Sequence, residues 1–189
     1  MATNPPNAGD RDRQLLVVLQ RLLTLEPGDL SAAMTDAAQQ VAEVLGADKV
    51  DIFFYVPADQ ALVAEGTSDT PMGHREHELG LDRLPLAGGG RTIEVFQTGR
   101  SHRADHLEQD CSEVRRLVDD LGLRSSIAVA LEVAGARRGV LLASSARPAA
   151  FDQADLHFLE AIAHWIGLTA ACLAQVELLA ARAAEDGCS

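Results

Sequence analysis

The run Gly88-Gly89-Gly90-Arg91-Thr92 carries the clearest small-molecule chemistry in the chain. Glycines let the backbone approach a ligand closely, and free N–H groups at a helix start favour an anion. Arg91 or Arg100 would add positive charge. The plain alternative is a loop that simply turns. Six histidines raise metal or haem chemistry. His74 and His77 are three apart, and His102 and His106 four, spacings that share a face only on a helix. Both pairs sit among Arg, Glu and turn formers and read as solvated loop residues, so no metal site is expected. His157 and His164 read as surface or interface residues of a long helix. Cys111, Cys172 and Cys188 are odd in number and form no CxxC, which suits free thiols in a reducing cytoplasm. Cys111 would act as a redox signal only with a lowered thiol pKa, and Arg115 and Arg116 are the sequence hint for one. Ser125 and Ser126 lack a nucleophile elbow, and neither a phosphate-binding loop nor HExxH occurs. The expectation is no catalytic residue, no cofactor and no enzyme.

Composition narrows the class. The chain has 189 residues, enough for one ordinary domain and a few added helices. Hydrophobic residues make up 47%, which supports a core, whereas 4% aromatics argues against a nucleic-acid stacking surface. A net charge of −12 repels phosphate backbones and anionic membranes. No apolar run approaches the ~20 residues of a membrane span. The start, MATNPPNAGDRDRQ, has no apolar core for a secretory signal. A cytoplasmic protein with no nucleic-acid or membrane partner is expected.

The elements that would position these groups follow from periodicity. Residues 1–10 read as a disordered lead and 11–28 as a helix whose Leu15, Val18, Leu19, Leu22 and Leu23 share a face. Asp29 or Ser31 caps a second helix with Met34, Ala38, Val41, Ala42 and Leu45 inward and Gly46 as its stop. Strands are expected at Lys49–Val56 and Ala61–Glu65. The pattern then fails from Gly66 to Gly90, apart from a short strand near Leu79–Leu86. A short helix is expected over Arg91–Gln97, a loop over Ser101–Glu108 and a helix over Ser112–Leu121. In RSSIAVALEV, Ile127, Val129 and Leu131 alternate with the small Ala128 and Ala130, leaving one face room for a closely packed helix or a ligand. After the AGAR turn, Gly139–Ala143 is almost wholly apolar, as in a central strand. The last helix runs from Phe151 to about Ala183, with Asp152 as N-cap, and is about 48 Å long. Leu159, Ile162, Ile166, Thr169, Leu173, Val176, Ala180 and Ala183 recur as a coiled-coil seam beside a second stripe of Leu156, Ala163, Ala170 and Leu178. A homodimer through this helix is expected, and residues 184–189 read as a flexible tail. The class is α+β with an antiparallel sheet, terminal helices on one face and irregular structure on the other.

This order resembles the GAF domain, a sensory fold related to PAS. The likeness is carried by LGADKVDIFFYVPADQALV, by LAGGGRTIEVFQTGRSHRADHLEQD, and by LGLRSSIAVALEVAGARRGVLLASSARPAAFDQADLHFLEAIAHWIGLTAACLAQVELL. The resemblance implies a GAF-like six-stranded sheet over residues 29–183 with a pocket above it. It also implies homodimers built on the first and last helices, through Leu15, Leu19, Leu22, Leu159, Ile162, Ile166, Thr169, Leu173 and Val176. Such modules pass a signal to a kinase, cyclase or transcription output, as in bacterial two-component systems. The pocket would draw on Phe53, Tyr55, Arg91, Thr92, Phe96, Asp105 and His106. The alternative is a ligand-free dimerisation scaffold or, further off, a haem, bilin or redox sensor. Haem-binding relatives carry a His shortly before the strand at Leu123, absent from CSEVRRLVDDLGL. Bilin-binding relatives attach their chromophore to a Cys commonly followed by His, and Ser112 follows Cys111. Reductase relatives need clustered pocket cysteines. Cyclic-nucleotide relatives carry Asn-Lys, Phe and Asp-Glu; Phe151 and Asp155 match, while Ser144, Ser145 and Leu156 do not.

Overall fold

The computed structural model describes residues 30–186 and, ahead of them, Val17 and Gln20. The expected lead, the helix over 11–28 with Leu15, Leu19 and Leu22, and residues 187–189 lie outside this description. In chain order come α1 (Leu30–Leu45), β1 (Lys49–Val56), β2 (Ala61–Thr67), α2 (Pro71–Glu78) and β3 (Arg83–Pro85). Then follow α3 (Arg91–Thr98), β4 (His102–Ala104), α4 (Arg115–Asp119), β5 (Ser125–Val133), β6 (Ala136–Ser145) and α5 (Gln153–Asp186). The strands form one antiparallel sheet in the order β3-β2-β1-β6-β5-β4.

Alternation decides which face each side chain covers. Val50, Ile52, Ile127, Val129, Leu131 and Leu141 meet α1 and α5 in the main core. Phe53, Leu62, Ala128, Val140 and Leu142 meet α3 on the opposite face. The small face of β5 is therefore covered by a helix. Ala134 and Gly135, both at positive φ, join β5 to β6 in the left-handed pair that a two-residue hairpin requires. Asp152 caps α5 as expected, in a reciprocal box: its Oδ1 accepts from the Asp155 amide, and Asp155 Oδ2 accepts from the Asp152 amide.

Several expectations are corrected, among them the loop over Ser101–Glu108, which holds β4. The stretch after Gly66 is not irregular: Thr70 caps α2 by accepting from the Gly73 amide, with Pro71 in the first turn. Of the two cap candidates, Ser31 lies inside α1, its hydroxyl donating to the Glu65 carbonyl, and Asp29 lies outside the described residues. The first part of the seam on α5 is not free for a partner. Leu159, Ile162 and Ile166 are each 0% exposed within a single chain, and the second stripe, through Leu156 and Ala163, is buried as well. Over residues 156–166 the two stripes form one wide core-facing surface against β5. Thr169 is half-buried, its hydroxyl donating to the Trp165 carbonyl; the side chains of Leu173 and Val176 lie outside the description. Helix continues through residues 184–186, where a flexible tail was expected.

Backbone contact sets the spacing of these layers. A Cβ on Gly66 would lie 2.4 Å from the Met34 carbonyl carbon, and one on Gly167 2.0 Å from the Glu132 oxygen. Gly66→Ala will therefore lower stability by about 2 kcal/mol. Gly88→Ala, where nothing lies within 4 Å, will stay within about 0.5 kcal/mol of the parent. Urea unfolding midpoints check both.

Candidate functional site

The face under α3 holds most of the expected pocket residues, and their side chains already have partners. Phe53 is fully buried and Thr92 nearly so. Tyr55 and Phe96 stack at 5.0 Å between centroids, half-exposed at the rim, and the Tyr55 hydroxyl accepts from Gln60. Arg91 opens α3 and grips Asp110 with two hydrogen bonds, Nε–Oδ2 at 2.6 Å and Nη2–Oδ1 at 3.1 Å. Its Nη1 donates to Glu94 at 2.6 Å. These bonds hold Asp110 below the usual carboxylate range. The Arg91 backbone amide donates to the Glu113 carboxylate, which burial pushes up. Gly90, at φ +96°, brings the chain against Val114 and Glu113, where a Cβ would lie 2.8 Å from the Val114 side chain. Where the glycine run was expected to receive an anion, two of the protein's own carboxylates stand against Arg91.

Asp105 and His106 do not join this group. Asp105 pairs with Arg103 at 3.3 Å, and its carbonyl accepts from Ala149 before α5. His106 is half-exposed beside Glu108 at 3.3 Å. His102 does face the cluster from β4, and burial first, then Arg91, lowers its pKa. His74 and His77 lie on α2, paired with Asp69 and Asp82 at 2.7 Å each. Cys111 and Cys172 are exposed free thiols.

A second charged group was not anticipated. Lys49 and Asp51 are fully buried and Glu76 is 1% exposed. Lys49 Nζ lies 2.5 Å from Asp51 Oδ2 and also bonds Glu76 Oε1. Asp51 Oδ1 accepts from Thr67. The available signal was alternation: Lys49 and Asp51 share the inward face of β1 with Phe53. Burial, then the Asp51 charge, pushes Glu76 up to about 9 against the pull of Lys49. Burial pulls Lys49 down, but Asp51 and Glu76 outweigh it and hold the ammonium above its ordinary value.

The GAF domain family model matches residues 29–170. This chain belongs to the GAF family. The GAF fold is typical of sensory and regulatory modules. A free methionine-R-sulfoxide reductase from Neisseria meningitidis, solved with its substrate, superposes with a TM-score of 0.77 at 20% identity, over 93% of this chain and 97% of that one. The GAF domain of an Acinetobacter phosphoenolpyruvate-protein phosphotransferase gives 0.70 at 15% identity, over 95% and 99%. A bacteriophytochrome from R. palustris gives 0.72 at 12% identity, over 97% of this chain and 42% of that one. At these identities the likeness establishes the fold. No curated protein matches the sequence.

In this GAF domain the buried triad sets a pH dependence. The folded chain keeps the Glu76 proton up to about pH 9, whereas an unperturbed Glu releases it near 4.5. Between these values the native state binds more protons, so stability falls as pH rises. The Lys49 contribution, whose folded pKa is raised, is fully present throughout this window. Glu76→Gln keeps an acceptor for Lys49 and removes the titration, so its stability will vary less from about pH 5 to pH 9. Urea unfolding across that range tests this, and a variant slope as steep as the parent's would contradict it.

Proposed function

We propose that this GAF protein is a non-enzymatic sensory module of signal transduction in the cytoplasm. It acts as a homodimer through α5 and the segment ahead of α1, takes a small molecule above the sheet, and serves an output domain or kinase partner. The observation that carries this reading is the length of α5. Gly167 lies against the Glu132 carbonyl at the end of β5, yet the helix continues to Asp186. Leu168, just beyond, is 48% exposed. A helix that outruns its own domain gains burial by pairing with a copy of itself. No helix among the described residues is long and apolar enough to cross a membrane.

The ligand reading rests on Arg91. Asp110 and Glu113 both belong to the β4–α4 connection and occupy the guanidinium and the start of α3. An anionic ligand that replaced them would release that connection, turning occupancy into a change of loop order. A second reading is favoured by the packing of the same face, where Phe53, Ile93 and Val140 are buried side by side. That packing suits a ligand-free assembly element. The non-enzymatic part is supported by the thiols, since Cys111 lies in the β4–α4 connection and Cys172 on α5 past Gly167.

Native mass spectrometry of protein purified from cells, beside a denatured control, separates these readings. A dimer with an added mass lost on denaturation is expected. Arg91→Ala will lose the adduct and keep the dimer. Leu168→Glu will shift the chain toward monomer. A dimer without adduct moves the function to assembly, and a monomer at micromolar concentration ends the dimer reading. Turnover of free methionine-R-sulfoxide with a dithiol reductant would overturn the non-enzymatic part.

A further inference from the structure

The solvent side of α5 carries almost no charge. From residue 156 to residue 176 its one Asp, Glu, Lys or Arg is Glu160, and that carboxylate accepts from the Ser101 hydroxyl. A helix with one face in water normally places charged residues there. Here Ala161, Trp165, Leu168 and Cys172 follow at spacings of 4, 3 and 4. Those spacings keep them on one stripe, turned away from Leu159, Ile162 and Ile166 in the core. Leu168 is 48% exposed, Cys172 is exposed, and Ala161 and Trp165 are partly so. Exposed His157 and His164 lie along its margin.

Charge selects the occupant of this stripe. Two copies of a chain of net charge −12 repel unless they meet through a face without acid. The stripe is such a face, and a basic partner would find no carboxylate on it to pair with. Among the described residues the exposed large hydrophobics are Leu168 and Val17, and Val17 belongs to the segment ahead of α1. Both segments of the proposed dimer thus leave apolar surface open. A twofold contact sets one patch against its own copy, which suits a patch that is apolar and uncharged. Trp165 supplies the kind of anchor that dominates such contacts. Resting on the dimer reading above, we propose that a second copy of this chain docks its own α5 on this stripe, with Trp165 and Leu168 at the centre of the contact. The contact face is then the side of α5 turned away from the sheet, apart from the Leu159, Ile162 and Ile166 that the heptad pattern singled out.

Trp165 is the single tryptophan of the chain, so its fluorescence reports this face and no other. Sedimentation velocity of the full chain across a dilution series, read beside the tryptophan emission, tests the contact. The emission is expected to shift to the red over the same concentrations at which dimer gives way to monomer, as the indole gains water. Cys172→Glu places an acid on each side of the contact and will raise the dissociation constant about tenfold. Gln97→Glu adds the same charge on α3, across the sheet, and will leave it within about twofold. Dissociation of the parent or of Cys172→Glu with no change in emission, or equal effects of the two variants, would place the dimer on another face and overturn this one while keeping the dimer. A monomer at every concentration would end the dimer reading and this face together.

Discussion

A lysine and two carboxyl groups shut away from water have to be satisfied by each other. That requirement fixes how β1 and α2 meet. Lys49 and Asp51 lie on a central strand, and Glu76 comes from a helix whose own sequence is polar. Removing Lys49 or Asp51 would strand a buried charge at a cost of several kcal/mol. The proton on Glu76 lowers the burden, because one ammonium faces one full carboxylate and one neutral acid. The docking of α2, and with it the outer wall of an acidic cleft between α1, β2 and α2, follows from this arrangement.

Much of the sheet was legible because its strands alternate cleanly. Val50, Ile52 and Phe54 on one side, and Ala128 and Ala130 on the other, set both faces before any coordinates. What failed was local chemistry outweighed by pattern. The helix α2 has a Thr-Pro start but almost no apolar face, so periodicity passes over it. The opposite happened at the start of α5, where Leu159, Ile162 and Ile166 of the a/d repeat serve a wide contact with the sheet. Heptad spacing does not distinguish a partner helix from a sheet, because both accept the same stripe. In the candidate site, Arg91 and the glycine turn were visible, but Asp110 and Glu113 were not. Both lie about twenty residues on, in a connection without periodicity, and only tertiary contact brings them to Arg91.

The two charged regions answer burial in different ways. At Arg91 the protein supplies its own anions, so positive charge and helix N-terminus are neutralised from within. At the cleft between α1 and α2 no Lys or Arg stands in the walls, and His74 and His77 pair with two of its carboxylates, Asp69 and Asp82. A folded protein with both arrangements meets ligands of opposite charge on unequal terms. An anion at Arg91 has to displace two carboxylates, while a cation at the cleft meets two that are each held by a histidine.

The stretch of α5 beyond Gly167 can be viewed mechanically. Contact between Gly167 and the Glu132 carbonyl is a fulcrum with no side chain to cushion it. The helix beyond it, through Asp186, is an arm of about 28 Å. A tilt of roughly three degrees at that pivot, well within the adjustment of packed helices, moves the far end by about 1.5 Å. A sheet that scarcely changes shape can therefore deliver a displacement of atomic size at the end of the rod.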